Sequence, residues 1–258
     1  MLLAVDAGNT QTNIGLFERG DLQQHWSVQT LADRTADEHA LVFKGLLEQV
    51  GLSFSRNVTG VVLSSVVPRV TQALREMVER YFHFEPVVVG PGVRTGMPIV
   101  TDNPREVGTD RVVNAIAAHE RYGGPCIAVG IGTATTFGAV SDRGEFLGGA
   151  IAPGMQVSTN ALVASTAQLR NIEFAAPRSV IGKTTVESIQ AGVVFGHAGM
   201  IDAIVERMRD DLGASAPVVA TGGLAPVVVP LCKTIDHHEP WLSLEGLQII
   251  FERNARAD

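Results

Sequence analysis

Cysteine is nearly absent from this 258-residue chain: Cys126 and Cys232 stand alone, with no CxxC and no Cys/His ligand spacing. That excludes a disulfide framework and a zinc site, and leaves two buried, reduced thiols beside apolar runs. The seven histidines form neither HExxH nor HxH, and His237 with His238 falls in a polar stretch. Basic charge is in deficit, with 20 Lys and Arg against 27 Asp and Glu and a net charge of -7. A phosphate backbone meets no attracting field here, so nucleic acid is not an expected partner. No apolar run approaches the ~20 residues of a membrane span, and the opening MLLAVDAGNT has no basic n-region before Asp6. A cytoplasmic protein with no membrane partner is expected. The chain also lacks GxxxxGK[ST], which excludes a P-loop. What it has is 45% hydrophobic residues and 27 glycines, enough for a large core in one domain or two.

The apolar pattern alternates between strand and helix. LLAV runs into a polar turn at Asp6, Gly8, Asn9 and Thr10, and IGLF follows at 14–17. Residues 36–50 and 70–82 place apolar side chains at helical spacing, with VTGVVLSSVVP between them reading as a strand that ends at Ser64 and Ser65. PVVVG at 86–90 reads as another strand, and the alternation argues for an α/β layer architecture. Residues 91–109, rich in Pro and Gly, are the expected seam. A helix is predicted over about 105–121, then a strand, turn and strand in CIAVGIGTATTFGAV, a long helix over about 183–210 and a strand in PVVATGG. Offset by 124, the second strand-turn-strand pairs Ala4 with Ala128, Val5 with Val129, Gly8 with Gly132 and Thr12 with Thr136, and sets Asp6 against Gly130. Such a repeat at half-chain separation suggests two related lobes.

Three motifs carry candidate chemistry. DAGNTQTN offers backbone N–H groups and hydroxyls to phosphate oxygens, and its Asp6 can hold a metal directly or through water; a hairpin turn that happens to use Asp and Asn fits the same residues. VGTDR sets Asp110 and Arg111 at a helix start, where Asp110 is either a helix cap or a base taking a hydroxyl proton while Arg111 grips a carboxylate. Asn103 before Pro104 reads as a turn residue. GGAIAPG at 148–154 and TGG at 221–223 read as glycine turns, and Thr184 with Glu187 fits a capping box.

In combination, the Asp-terminated strand with its GNT turn, the repeat carrying GTATT and the ATGG turn resemble the acetate and sugar kinase, Hsp70 and actin superfamily. There, two ribonuclease-H-like α/β lobes close over ATP. The resemblance implies an N-terminal lobe at 1–104 with the first phosphate loop. A C-terminal lobe at 105–258 would carry the second phosphate loop and the adenosine-side glycine turn. A closer resemblance, to the type III pantothenate kinase family, is carried by DAGNTQTNIGLF, TGMPIVTDNPREVGTDRVVNA, GTATTF, EFLGGAIAPG, IGKTTVESIQAG and ATGGLA, in order from residue 1 to about 253. It implies ATP-dependent phosphorylation of pantothenate to 4'-phosphopantothenate, the first step of coenzyme A biosynthesis, by a homodimer with its substrate site at or near the subunit interface. By position, Asp6, Ala7, Gly8, Asn9, Thr10, Gln11, Thr12 and Asn13 form the first phosphate loop, with Asp6 near Mg²⁺, and Gly132 and Thr133 contact ATP. Asp110 is the general base, and Thr101, Gly108, Thr109, Arg111 and Thr185 join it around pantothenate.

Three positions depart from the family pattern. Family members usually have Asp at the position of Gly130, where the acid helps hold a monovalent cation, K⁺ or NH₄⁺. Gly138 also replaces an acid, and Thr101 stands where many members have tyrosine. Two readings follow: a kinase with a relaxed or lost cation requirement, or a catalytically weak homologue that binds nucleotide or pantothenate in a regulatory role. The change at Thr101 also leaves room for a different small hydroxy acid as acceptor.

Overall fold

The computed structural model describes residues 1–166, 169–170 and 172–255. Its first half contains β1 (Leu2–Ala7), β2 (Gln11–Glu18), β3 (Asp21–Gln29), α1 (Ala36–Gln49), α2 (Phe54–Asn57), β4 (Gly60–Ser65), α3 (Pro68–Phe82) and β5 (Val87–Val88). Then come α4 (Thr109–Tyr122), β6 (Cys126–Ile131), β7 (Ala134–Val140), β8 (Phe146–Pro153), α5 (Met155–Ala164), α6 (Thr185–Leu212), β9 (Val218–Thr221), α7 (Ala225–Val228), β10 (His237–His238) and α8 (Leu242–Ala255).

Two compact units emerge, and neither is contiguous in sequence. One comprises residues 1–98, 103–117 and 242–258, the other 99–102 and 118–241. The seam expected between 104 and 105 therefore falls inside the first unit, because the start of α4 and all of α8 pack with the N-terminal sheet.

The sheets share one topology. The first has strand order β3-β2-β1-β4-β5 and the second, read from its matching edge, β8-β7-β6-β9-β10. In each, three antiparallel strands continue into a parallel pair. The half-chain repeat is thus real, with one correction. Asp6 pairs with Asn13, but Gly130 pairs with Thr136. The second turn is one residue shorter, so Thr12 matches Thr135 rather than Thr136. Both are buried threonines on the strand after the turn.

Alternation along the strands decides what each face meets. In the first unit Leu3, Val5, Ala7, Val61 and Leu63 join Phe43 and Leu47 of α1 and Leu74 and Met77 of α3 in one core. The opposite face meets α8: a Cβ on Gly60 would lie 2.4 Å from Phe251 Cζ, and one on Gly15 2.9 Å from Leu244 Cδ1. In the second unit Ile127, Val129 and Ile131 pack with Val194, Ile201 and Val205 of α6. By length and mean hydropathy α6 could cross a membrane, but its buried Val194, Ala198, Ile201 and Val205 belong to this core.

The predicted helices form close to their expected bounds, and cap chemistry explains the ends. Thr35 with Glu38 and Thr184 with Glu187 make capping boxes at the starts of α1 and α6. Gly213 ends α6 in the left-handed conformation. The helix expected from 105 instead starts at Thr109, after a 3₁₀ turn at Pro104–Glu106. GGAIAPG is not a turn: its first six residues lie in β8. Gly149 is there because a Cβ would come 1.7 Å from the Phe137 carbonyl oxygen on the neighbouring strand. Cys126 and Cys232 are free, and burial pushes both thiols up to about 12, so they stay protonated and unreactive near neutrality.

Candidate active site

In the first unit the polar residues gather where β1 and β4 end. Asp6 is paired in parallel register with Ser64, so both side chains lie on the α8 face of the sheet. The turn that follows is closed by the Gly8 N–H, which donates to the Gln11 carbonyl at 3.0 Å. Asn9, Thr10 and Gln11 are exposed, while Ala7 is core. Thr12 Oγ1 lies 2.8 Å from Thr30 Oγ1, and Asn13 Oδ1 accepts from Ser27 Oγ at 2.7 Å. These contacts fix the start of β2 against β3, and Asn9, Thr10 and Gln11 are the exposed residues of the motif.

Asp110 enters the same neighbourhood from the first turn of α4. Its carboxyl sits so close over Gly108 that a Cβ there would be 2.5 Å from Asp110 Oδ1, and the Arg111 N–H donates to the Gly108 carbonyl at 3.1 Å. Thr109 Oγ1 is 3.1 Å from Ser64 Oγ, which ties the helix start to the end of β4. Burial raises the Asp110 carboxyl above the ordinary carboxylate range, opposed by the Arg111 amide and guanidinium. Asp6 keeps some surface as a residue, but its carboxyl is enclosed. Burial lifts it to about 6, the hydroxyls of Ser243 and Ser64 pull it down, and the Asp110 charge adds to the rise. Two carboxylates thus sense each other within one unit, each a better proton acceptor than a solvated acid.

This donor set suits magnesium, which takes one or two carboxylates and completes its shell with water and phosphate oxygens. A cation would also offset the cost of ionising the enclosed Asp6. Among the described residues no three of His, Cys, Asp and Glu come together, so an all-protein cage is not formed.

The second unit holds the other glycine-threonine turn. Gly132 N–H donates to the Ala134 carbonyl at 3.1 Å, and Gly154 N–H to the Thr133 carbonyl at 3.1 Å. Two glycines let other backbone approach this turn. A Cβ on Gly154 would be 2.2 Å from the Gly132 carbonyl oxygen; on Gly222, at φ +111°, it would be 2.3 Å from that of Ile131. Gly130 is flanked in the sheet by Thr136 and Thr221, which supply hydroxyls and carbonyls but no carboxylate. The monovalent cation implied by the family resemblance finds no formal charge partner in that position. Gly138 has lost its room as well as its acid, since a Cβ would lie 2.9 Å from the Phe146 ring.

Thr101 is anchored through its neighbour, the Val100 N–H donating to the Phe146 carbonyl at 3.0 Å, and its Oγ1 is buried with no partner among the described residues. Thr185 opens α6 and lines a groove of about 590 Å³ with Met155, Ser158, Ile189 and His197. His197 is buried, with Nε2 2.7 Å from Thr135 Oγ1, and burial lowers its pKa so that the ring is neutral near pH 7. Sequence reasoning treated Ser64 as a strand end and passed over Ser243, Thr135 and His197. Ser64 was findable, as a hydroxyl at the carboxyl end of a buried strand parallel to β1; the others become visible only through packing.

The fold with its twin sheets and glycine turns is that of the actin, Hsp70 and sugar-kinase superfamily. An activator of 2-hydroxyisocaproyl-CoA dehydratase from Clostridium difficile, solved with bound ADPNP, superposes with a TM-score of 0.58 over 100% of this chain and 98% of its own, at 12% identity. An inorganic polyphosphate/ATP-glucomannokinase from an Arthrobacter strain does so with a TM-score of 0.51 over 98% of each chain, also at 12% identity. Within that class the sequence is specific. The type III pantothenate kinase profile matches residues 2–207. A type III pantothenate kinase of Streptomyces griseus is 51% identical over 98% of both chains. The chain belongs to the type III pantothenate kinase family.

Proposed function

We propose that the chain transfers the terminal phosphoryl group of ATP to the primary hydroxyl of pantothenate, the entry step to coenzyme A. The observation that carries this reading is the joining of Asp6, Ser64, Thr109 and Asp110 at the ends of two parallel strands. Asp110 takes the hydroxyl proton as the oxygen attacks phosphorus, and Arg111 holds the pantothenate carboxylate. The turn after Asp6 binds phosphate oxygens, and Asp6 would hold magnesium, which would neutralise phosphate charge. In the second unit Gly132 and Thr133 serve the nucleotide, and Thr101 and Thr185 the acceptor. A cytoplasmic location and the absence of nucleic-acid or membrane partners belong to the same reading. Turnover of pantothenate with ATP and Mg²⁺ tests it. Well-folded protein that binds nucleotide but gives no turnover under any monovalent cation would favour the regulatory homologue.

The neutral surroundings of Gly130 support a kinase that has lost its dependence on K⁺ or NH₄⁺. Wild-type rates are expected to be equal in potassium and choline salts, and Gly130→Asp to show at least a several-fold stimulation by K⁺. Strong potassium activation of the wild type would overturn this assignment.

A homodimer through the second unit is part of the proposal. Val157, Leu162, Val180, Ile181 and Val186 are exposed there, and Gly192, Gly196 and Gly199 leave open space along α6. Apolar surface of this kind is ordinarily covered. A Cβ at Gly196 meets nothing within 4 Å among the described residues and arginine improves helix propensity, so Gly196→Arg is expected to yield a folded monomer by light scattering. A dimer that persists in this variant would place the interface elsewhere.

A further inference from the structure

We propose that His197 of α6 is a positioning residue for the nucleotide, acting through Thr135 to hold the turn of Gly132 and Thr133 in place. This rests on the reading of that turn as a nucleotide contact, and adds to it a side chain 62 residues further along the chain.

The sheet sets the problem. Thr135 stands opposite Ile131 in the register of β6 and β7, as Phe137 stands opposite Val129. Alternation therefore aims the Thr135 side chain into the layer where Ile127, Val129, Ile131 and Phe137 meet Val194, Ala198 and Ile201 of α6. Thr135 is fully buried, and a hydroxyl in apolar surroundings costs free energy unless it is hydrogen-bonded. His197 supplies the partner, with Nε2 2.7 Å from Thr135 Oγ1. It lies three residues after Val194 and four before Ile201, on the buried stripe of α6, and is only 7% exposed.

The equivalent position is tied down in the first unit. Thr12 faces Ala7 as Thr135 faces Ile131, and each is the second residue of the strand that leaves its turn. Thr12 Oγ1 lies 2.8 Å from Thr30 Oγ1, and the Thr30 N–H donates to the Thr10 carbonyl within the turn at 2.9 Å. Each turn thus rests on a buried threonine held by one polar group, a strand end in one unit and a helix in the other. Only Ala134 separates Thr135 from the second turn. The Ala134 carbonyl accepts from the Gly132 N–H, and the Thr133 carbonyl from the Gly154 N–H. A shift of β7 at Thr135 would therefore carry Gly132 and Thr133 with it, and the directional bond to His197 opposes that shift.

Thr135→Val, His197→Phe, the double variant and His197→Gln in the full chain test this, by calorimetric MgADP binding, denaturant unfolding and steady-state kinetics. Each of the first two leaves one buried polar group unpaired, so both should lose stability and bind MgADP about three- to tenfold more weakly. KM for MgATP should rise by more than kcat falls, and His197→Gln, which keeps a hydrogen-bonding group, should retain most of the affinity. In the double variant two apolar side chains meet and stability should return. MgADP affinity should nevertheless stay as low as in the single variants, because the directional anchor is gone. Affinity that recovers together with stability, or that equals wild type in all three, overturns this inference alone. Thr135→Ser keeps the test open if the double variant fails to fold. It should bind MgADP as wild type does, and weakening equal to that of Thr135→Val overturns the inference. No MgADP binding by the wild type overturns the kinase reading together with it.

Discussion

Asp110→Asn is expected to lower kcat by about 10²–10⁴-fold, the usual worth of a positioned general base, while leaving MgADP binding intact. Asparagine keeps the size at the start of α4 but cannot take a proton. The pH profile carries the sharper test. Burial holds the Asp110 carboxyl above the ordinary carboxylate range, and Asp6 lies at about 6 with the Asp110 charge contributing to its rise. The two titrate as a coupled pair. Wild-type kcat/KM should therefore fall as pH drops through an apparent pKa above that of a solvated carboxylate, because the base must be ionised to act. In Asp110→Asn the residual rate should lose its dependence on that base, and the remaining carboxylate, relieved of its neighbour, should titrate lower. Retention of more than a tenth of wild-type kcat would remove Asp110 from the chemistry.

Asp6→Asn is expected to abolish magnesium-dependent turnover and at the same time to stabilise the ligand-free protein, by on the order of 3 kcal/mol at neutral pH. The folded chain holds the Asp6 proton up to about 6, against an ordinary 3.8. Between those values the folded state binds more protons than the unfolded state, so stability falls as pH rises through the window and stays lower above it. Asparagine removes that slope. The stability gap between variant and wild type should be near zero below pH 4, open between about 4 and 6, and remain constant at 7. Denaturant unfolding without nucleotide or metal measures it. A variant less stable than wild type at pH 7 would show that Asp6 is held for structure rather than at a cost to it.

Where the sequence succeeded and where it failed follow from the range of the interactions involved. The expected strands and helices appear because alternation and helical spacing are local, and capping boxes such as Thr35 with Glu38 span four residues. The second turn was aligned one residue out because a constant offset cannot register a deletion, whereas the pairing of Gly130 with Thr136 fixes it. GGAIAPG was misread because glycine is ambiguous in isolation. Whether it serves a turn or a close strand contact depends on what lies opposite, here the Phe137 carbonyl.

By itself the sequence determined the α/β class, the family, the two glycine turns and the pair Asp6 and Asp110, because strand ends, turn residues and helix starts are written in short windows. Only the tertiary structure decided which of these share a unit. Residues 103–117 and 242–255 return to the N-terminal sheet, so a contiguous boundary could not describe the chain. That return places Thr109 on Ser64 and lays α8 over Gly15 and Gly60. A hydroxyl 45 residues away along the chain has no sequence signal for its partner. Such contacts arise when a helix packs against a sheet, and at glycine-cleared positions only side-chain volume in three dimensions can dictate the fit.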